Sequence, residues 1–341
     1  MDRFGEAPQN GAKLSDVAFT RVKDACREIK AMGTPIHPDM APILDARRFV
    51  TAATSVADKR RNWTAYSKAL AIPMPASITA QDRALPTPGC QVPVRIYRPA
   101  AHAGGALPCI IYIHGGGFMM GDLDSSDTNA WGLCAGTGAI VVSVDYRLTP
   151  EHVFPAAFDD CYGVLVWLAQ HGAEIGIDAG RIAISGDSAG GNLSAAVCLA
   201  ARDRGGPAIR AQAVLYPSMC EEPTSASYIE NANSPSLTTE SVVYYNTTYT
   251  SGAKNADNPY AAPTRAKSFA DLPPALVHVG DLDPLRDDAR LYASKLALAG
   301  SAVTYREARG MLHGFLRVRL TGPQAKREFE IITEFLSEHL R

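Results

Sequence analysis

The chain has 341 residues, 46% of them hydrophobic and 20% charged, with a formal net charge of −2. This composition suits a folded protein with a sizeable core and excludes a disordered chain, and the charge balance argues against nucleic acid or an anionic membrane as a partner. Seven scattered cysteines lack a C-x-x-C pair, residues 1–20 lack a secretory pattern, and no apolar run has the length of a membrane span. We therefore expect reduced thiols, no metal site and a cytoplasmic location.

The first 75 residues contain helical patterns only. Apolar positions follow helical spacing over residues 15–33, over residues 38–49 and over residues 56–70. Two interpretations stay open for this segment: a helical extension that packs on the body, or part of a lid over a binding site.

Strands and helices alternate from about residue 78 onwards. Predicted strands begin near Ile78 and continue at residues 92–97, 109–113, 139–144, 182–184, 211–215, 274–279 and 302–306. Predicted helices surround Trp131 and cover residues 153–170, with Pro155 in the first turn, 192–202, 287–298 and 324–340. This alternation predicts an α/β fold with a mostly parallel, doubly wound sheet and helices on both faces.

One long segment interrupts the alternation. Residues 217–272 are rich in Ser, Thr, Asn and Tyr, and a helical stretch covers residues 239–250. Connections of this length are usually functional lids or disordered segments. Three tyrosines in the helical stretch favour an ordered insertion: Tyr244, Tyr245 and Tyr249.

The pentapeptide GDSAG at residues 186–190 lies between an apolar strand and an Ala-rich helix. A tight strand-to-helix turn with the pattern G-x-S-x-G pushes the central hydroxyl out above the sheet, and its glycines avoid collisions with neighbouring backbone. Ser188 is therefore the candidate nucleophile, and the alternative is an ordinary serine in a glycine-rich turn. Asp187, beside it, we interpret as structural or pocket-lining.

A second glycine-rich loop, HGGGF at residues 114–118, follows the predicted 109–113 strand. Consecutive glycines leave backbone N–H groups accessible to a substrate oxygen, and such a loop forms an oxyanion hole with the amide of the residue after the nucleophile, here Ala189. The residues just past the glycines are candidates to line the substrate pocket, although core packing explains them equally well: Phe118, Met119 and Met120.

A serine nucleophile needs a histidine base. In enzymes with this G-x-S-x-G turn, the acid and then the histidine follow the serine along the chain, so only three of the eight histidines are candidates. His278 lies in a predicted strand and His339 in the last predicted helix, whereas His313 lies in the loop between the last strand and the last helix. We therefore predict His313 as the base.

The acid is expected in the loop after the 274–279 strand, which contains four carboxylates. Asp287 and Asp288 fall at a predicted helix start, where capping and complementarity to the helix dipole explain them without catalysis. Asp283, fixed by the following proline, is our choice for the acid, and Asp281 is the fallback.

Six motifs occur together in this chain: HGGGF, DYRLTPE at 145–151, GDSAGGN, NPYAAP at 258–263, DPLRD and HGF. In combination they resemble the hormone-sensitive-lipase-like family of α/β-hydrolases, the bacterial family IV carboxylesterases, and the resemblance covers about residues 75–341. It implies an α/β-hydrolase catalytic domain over residues 76–341 and a helical cap built from residues 1–75, with 217–272 as a candidate contributor. It also implies Ser188, Asp283 and His313 as the triad, and an oxyanion hole made by Gly115, Gly116 and Ala189.

The expected reaction is hydrolysis of a small-molecule ester through an acyl-enzyme on Ser188, without a cofactor or metal, and the resemblance implies short acyl chains. Other hydrolases that use the same triad stay open: an aryl or feruloyl esterase, a lactonase, an amidase or a lipase, although the polar insertion argues against a lipase. A non-catalytic small-molecule-binding protein and a homodimer also stay open.

Overall fold

The computed structural model describes residues 34–50, 53, 55–102 and 104–341, so the helix predicted over residues 15–33 lies outside the described residues. The described part contains eight strands: β1 (Ile78–Pro86), β2 (Gln91–Pro99), β3 (Leu107–Ile113), β4 (Ile140–Val144), β5 (Ile177–Asp187), β6 (Gln212–Leu215), β7 (Ala275–Gly280) and β8 (Val303–Ala308). It also contains nine α-helices: α1 (Ala41–Ala46), α2 (Val56–Leu70), α3 (Leu123–Thr137), α4 (Ala156–His171), α5 (Ala189–Asp203), α6 (Ala226–Glu230), α7 (Thr239–Thr250), α8 (Arg286–Leu298) and α9 (Pro323–His339).

The strands form one eight-stranded sheet in the order β1-β2-β4-β3-β5-β6-β7-β8. The pairs β1–β2 and β2–β4 are antiparallel, and all the other pairs are parallel. The predicted mostly parallel, doubly wound sheet is therefore confirmed. These described elements lie within residues 36–341, which form a single compact unit.

The central strands are continuously apolar because helices cover both faces of a parallel sheet. The sequence of β3 from Cys109 to Ile113 is fully buried, as are β4, β6 and β7, whereas the edge strand β1 is exposed along most of its length. The alanines and glycines of α5 let this helix lie close to the sheet, and its first 13 residues are all buried. Because β3, β5, β7 and β8 run in the same direction, the loops that follow them all lie at the carboxyl ends of the parallel strands.

Predicted helix positions agree with the structure within a few residues. The helix predicted over 38–49 is α1 flanked by two short 3₁₀ helices, Pro38–Met40 and Arg47–Phe49. One detail was wrong: Pro155 lies at the cap position before α4 and not in its first turn. The 217–272 insertion is ordered and contains α7, as predicted, and also α6, which the sequence did not predict.

Candidate active site

The turn between β5 and α5 holds Ser188 in a strained conformation. Its backbone φ is 59° and its ψ is −117°, a region that non-glycine residues rarely adopt. A Cβ atom on Gly186 would collide with the carbonyl of Gly190, and one on Gly190 would collide with the carbonyl of Ile113. The two glycines therefore allow the tight turn that raises the serine hydroxyl above the sheet.

The structure brings the three predicted triad residues together. Nε2 of His313 lies 3.0 Å from Oγ of Ser188, and Nδ1 of His313 lies 2.7 Å from Oδ2 of Asp283. Asp283 is fully buried, and its Oδ1 also accepts a hydrogen bond from the amide of Leu285 at 2.9 Å. Because an ionised carboxylate only accepts hydrogen bonds, Nδ1 carries the proton and Nε2 is left to accept from the serine hydroxyl.

The alternatives to the triad residues make other contacts. Nε2–H of His278 donates to Glu328 in the core, and burial lowers the pKa of this histidine. Nδ1 of His339 lies 2.9 Å from the carbonyl oxygen of Phe335 in α9, and Asp281 accepts from the amide of Gly310 at 2.7 Å.

The expectation that Asp287 and Asp288 cap α8 was wrong, whereas their expected place at the start of this helix is confirmed. Both residues lie in the first turn of α8, but they accept hydrogen bonds from backbone amides of the 217–272 insertion. Asp287 accepts from Ser227 and Asp288 from Met219, both at 2.8 Å. Sequence spacing could not reveal these contacts, because the partners lie at least 60 positions away. These two side chains anchor the insertion beside the acid loop.

The loop of residues 114–118 faces Ser188, but its first glycine does not line the cavity. The amide of Gly115 donates to Oδ1 of Asp187 at 3.0 Å and is therefore not available to a substrate oxygen. Gly116, Gly117 and Ala189 do line the cavity. Gly115 therefore does not fit the expected oxyanion-hole set, and Gly117, which the sequence did not single out, lines the cavity in its place.

Asp187 has both of the roles that its position suggested. It lines the cavity, and its Oδ1 also accepts the hydroxyl of Tyr112 at 2.6 Å. Asn129 donates to the same tyrosine oxygen at 3.1 Å. Asp187, the residue before the nucleophile, therefore connects the nucleophile turn to β3 and to the glycine loop.

The cavity above Ser188 has a volume of about 340 Å³. Phe118 and Met120 line it, whereas Met119 does not. Of the two interpretations given for Met119, core packing therefore applies and pocket lining does not. Side chains of α2 and of the insertion complete the lining, among them Trp63, Tyr66, Val242 and Tyr245. A volume of this size suits a small organic ligand.

In the described part of the chain, the six cysteines form no disulfide, and no group of three or more His, Cys, Asp or Glu side chains could hold a metal ion. Among the described helices, none combines the length and the apolarity needed to cross a membrane.

A family model described as alpha/beta hydrolase fold matches residues 110–317. The chain belongs to this family. It is 42% identical to Esterase LipI of Mycobacterium tuberculosis over 72% of this chain and 77% of LipI. It is also 37% identical to the carboxylic ester hydrolase LipN of the same organism, over 94% of this chain and 87% of LipN.

A solved esterase structure has the same fold as this chain. The crystal structure of a thermostable esterase from Pseudomonas putida ECU1011 matches 90% of this chain and 98% of its own, with a TM-score of 0.85 and 33% identity. The α/β-hydrolase is thus a carboxylic ester hydrolase of the hormone-sensitive-lipase-like type.

Proposed function

We propose that this ester hydrolase cleaves short-chain acyl esters through an acyl-enzyme on Ser188. The observation that carries the proposal is the continuous hydrogen-bond chain from Asp283 through His313 to Oγ of Ser188, with distances of 2.7 and 3.0 Å. This arrangement is the nucleophile, base and orienting acid that acyl transfer requires.

In the proposed mechanism, His313 takes the hydroxyl proton through Nε2 as Oγ of Ser188 attacks the ester carbonyl. Asp283 holds the histidine in the tautomer with the proton on Nδ1 and stabilises the positive charge that forms on the ring. The protonated His313 then gives its Nε2 proton to the departing alcohol. A water molecule repeats the sequence on the acyl-enzyme and regenerates Ser188.

The developing oxyanion is stabilised by backbone amides of Gly116, Gly117 and Ala189. Ala189 is the first residue of α5, so its amide has no partner within the helix, and the positive end of the helix dipole lies behind it. Removing one donor of such a hole typically costs about 2.7–4 kcal/mol of transition-state stabilisation.

In our proposal, two segments form the cap over this site: the described residues between 36 and 75, and the 217–272 insertion. The side chains of Trp63 and Tyr66 from the first segment and of Val242 and Tyr245 from the second, all of which line the cavity, support this. The cavity of about 340 Å³ supports a small acyl group.

Six unpaired cysteines in the described residues, most of them buried, support a cytoplasmic location.

The test is the initial hydrolysis rate of p-nitrophenyl esters of increasing acyl length, measured for the wild type and for Ser188→Ala. We expect an optimum at short chains and a loss of activity in the variant of about 10⁴-fold or more. An optimum at long chains would overturn the chain-length proposal. Unchanged turnover in Ser188→Ala would overturn the mechanism.

A further inference from the structure

The cavity above Ser188 is lined by three cationic side chains, Arg47, Lys59 and Arg317. Asp187 is the only carboxylate among the described lining residues, and its Oδ1 is already engaged by Tyr112 and Gly115. A pocket that hydrolyses neutral esters needs none of these positive charges for the chemistry at Ser188. Their presence therefore requires another explanation.

Arg317 is the most informative of the three, because it is 8% exposed and has no carboxylate partner in the described residues. Burying an unpaired charge is costly. The guanidinium carbon lies 4.7 Å from the centroid of the Trp63 ring, which supplies a cation–π contact but no counter-charge.

The hydrogen bonds of Arg317 leave one edge of its guanidinium group available. Nη1 donates to the carbonyl oxygen of Ser125 at 2.9 Å and to Oγ of Ser67 at 3.3 Å. Both serines line a separate small cavity behind Arg317, and Arg317 lines that cavity as well as the one above Ser188. No hydrogen bond within the described residues uses Nε or Nη2, and these two N–H groups form the fork that binds a carboxylate in a bidentate way.

Arg47 and Lys59 add charge on the cap side of the same cavity, and neither has an ion-pair partner in the described residues. Nη1 of Arg47 donates to the carbonyl oxygen of Ser236 at 3.3 Å, and Nζ of Lys59 lies 4.9 Å from the centroid of the Tyr244 ring. Within the part of the chain that the structure describes, most N–H donors of both side chains have no acceptor.

Two further lining groups lack a hydrogen-bond partner. Nε1 of Trp63 and Oγ of Ser236 are buried and unsatisfied among the described residues, and both residues line the cavity. Buried polar atoms are rarely left unpaired, so these groups indicate that a bound molecule supplies oxygen acceptors here.

We infer that the preferred substrates are esters that carry a free carboxylate, which binds to the Nε and Nη2 edge of Arg317. This inference deepens the proposed function and rests on it, because the carboxylate is bound in the cavity where the ester is cleaved.

The test compares matched pairs of esters that differ only in charge. Monoethyl adipate is paired with the ethyl ester of adipamic acid, which places the charge on the acyl side. The acetate ester of 4-hydroxybutanoate is paired with that of 4-hydroxybutanamide, which places it on the alcohol side. The measured quantity is kcat/KM of the carboxylate divided by kcat/KM of the amide. The ratio within one variant cancels any loss of folded protein.

For the wild type we expect a ratio of about 10 or more in at least one pair, as for a charge-assisted bidentate contact. In Arg317→Gln the ratio should fall close to one, and in Arg317→Lys it should recover in part. Arg48→Gln is the matched control, because Arg48 is exposed and does not line the cavity, and its ratio should equal that of the wild type. A wild-type ratio below 10 in both pairs, or a ratio that Arg317→Gln leaves unchanged, overturns the inference.

Titration of Ser188→Ala with the same compounds separates this inference from the proposed function. Tighter binding of the carboxylate than of its amide by about 10-fold supports the anionic subsite even if the wild type turns over none of the esters, a result that would overturn the proposed function alone. Equal dissociation constants overturn the inference, whatever the turnover.

Discussion

The backbone amide of Gly115 donates a hydrogen bond to Oδ1 of Asp187 at 3.0 Å. The residue before the nucleophile thus holds the first glycine of the loop that faces the nucleophile. The same oxygen accepts the hydroxyl of Tyr112 at 2.6 Å, so the position of the loop is tied to β3 as well. Since oxyanion stabilisation depends on donors that are held in place before the reaction, this contact sets the geometry of the site.

Asp187→Ala should therefore lower kcat/KM by about 10-fold or more, since hydrogen bonds to an ionised group contribute about 1.5–3 kcal/mol each. Steady-state kinetics on a short p-nitrophenyl ester measures this effect. Tyr112→Phe is the control, because it removes the tyrosine hydroxyl and leaves the contact between Gly115 and Asp187, so it should retain most of the activity. An Asp187→Ala enzyme with activity within threefold of the wild type would contradict the role of this contact.

Gly117 lies against the ring of Tyr245, and a Cβ atom at this position would lie 2.5–2.9 Å from three ring atoms. Its φ of +62° also disfavours any other residue. Gly117→Ala should therefore displace the oxyanion loop and lower kcat/KM by about 10-fold or more. Adding Tyr245→Ala should restore part of the loss, which a double-mutant cycle measures.

The matched control for this variant is Gly138→Ala. Gly138 has a similar φ of +71°, a Cβ atom there would have no neighbouring atom within 4 Å, and the residue ends α3 away from the cavity. We expect this variant to lose about 1–2 kcal/mol of stability through backbone strain and to keep its kcat/KM. Equal losses of activity in the two variants would show that backbone strain, and not the contact with Tyr245, explains the effect.

The buried Asp288 is expected to make the stability of the folded protein depend on pH. Burial raises the pKa of this carboxyl group to about 8, and the negative charges of Glu221 and Asp283 act in the same direction, whereas the hydrogen bonds from Met219 and Tyr228 act against it. The folded state thus favours the protonated form. The stability that this provides is complete below the ordinary pKa of an aspartate and is lost as the pH rises through about 8.

Asp288→Asn cannot ionise, and its side-chain oxygen can still accept from the amide of Met219. The Tm of the variant minus the Tm of the wild type should therefore increase as the pH rises from 5 to 9, by at least about 2 °C, because only the wild type loses stability over this range. Thermal unfolding at several pH values measures it. A difference that is constant over this range would mean that Asp288 does not titrate there.

Much of this molecule could be predicted from local patterns. The strand β3, residues 182–184 of β5 and the helix α2 are continuous apolar or periodic segments, and the triad follows from chain order and from the loops that carry Ser188, Asp283 and His313. The errors concern contacts between distant segments. The choice between Gly115 and Gly117 depends on where Asp187 points, and the role of Asp288 depends on the fold of the insertion.

Pocket lining was also beyond sequence reasoning. Met119 and Met120 are adjacent and chemically identical, but only Met120 faces the cavity, because the backbone turn after the glycine loop decides which side chain points outward. Arg317 gave no sequence signal, since a single arginine after the HGF motif is ordinary on a surface. Only the structure shows that it is buried and lines the cavity.

The central claim is that Ser188 is the nucleophile, and its most direct test is covalent labelling with diethyl p-nitrophenyl phosphate. This ester transfers its diethylphosphoryl group to an activated serine and releases p-nitrophenol, and the product is stable enough for peptide mass analysis. We expect one group per chain, on the peptide that contains Ser188, with one equivalent of p-nitrophenol released and no labelling of Ser188→Ala. A label on another residue, or no label on an enzyme that still hydrolyses p-nitrophenyl esters, would contradict the account.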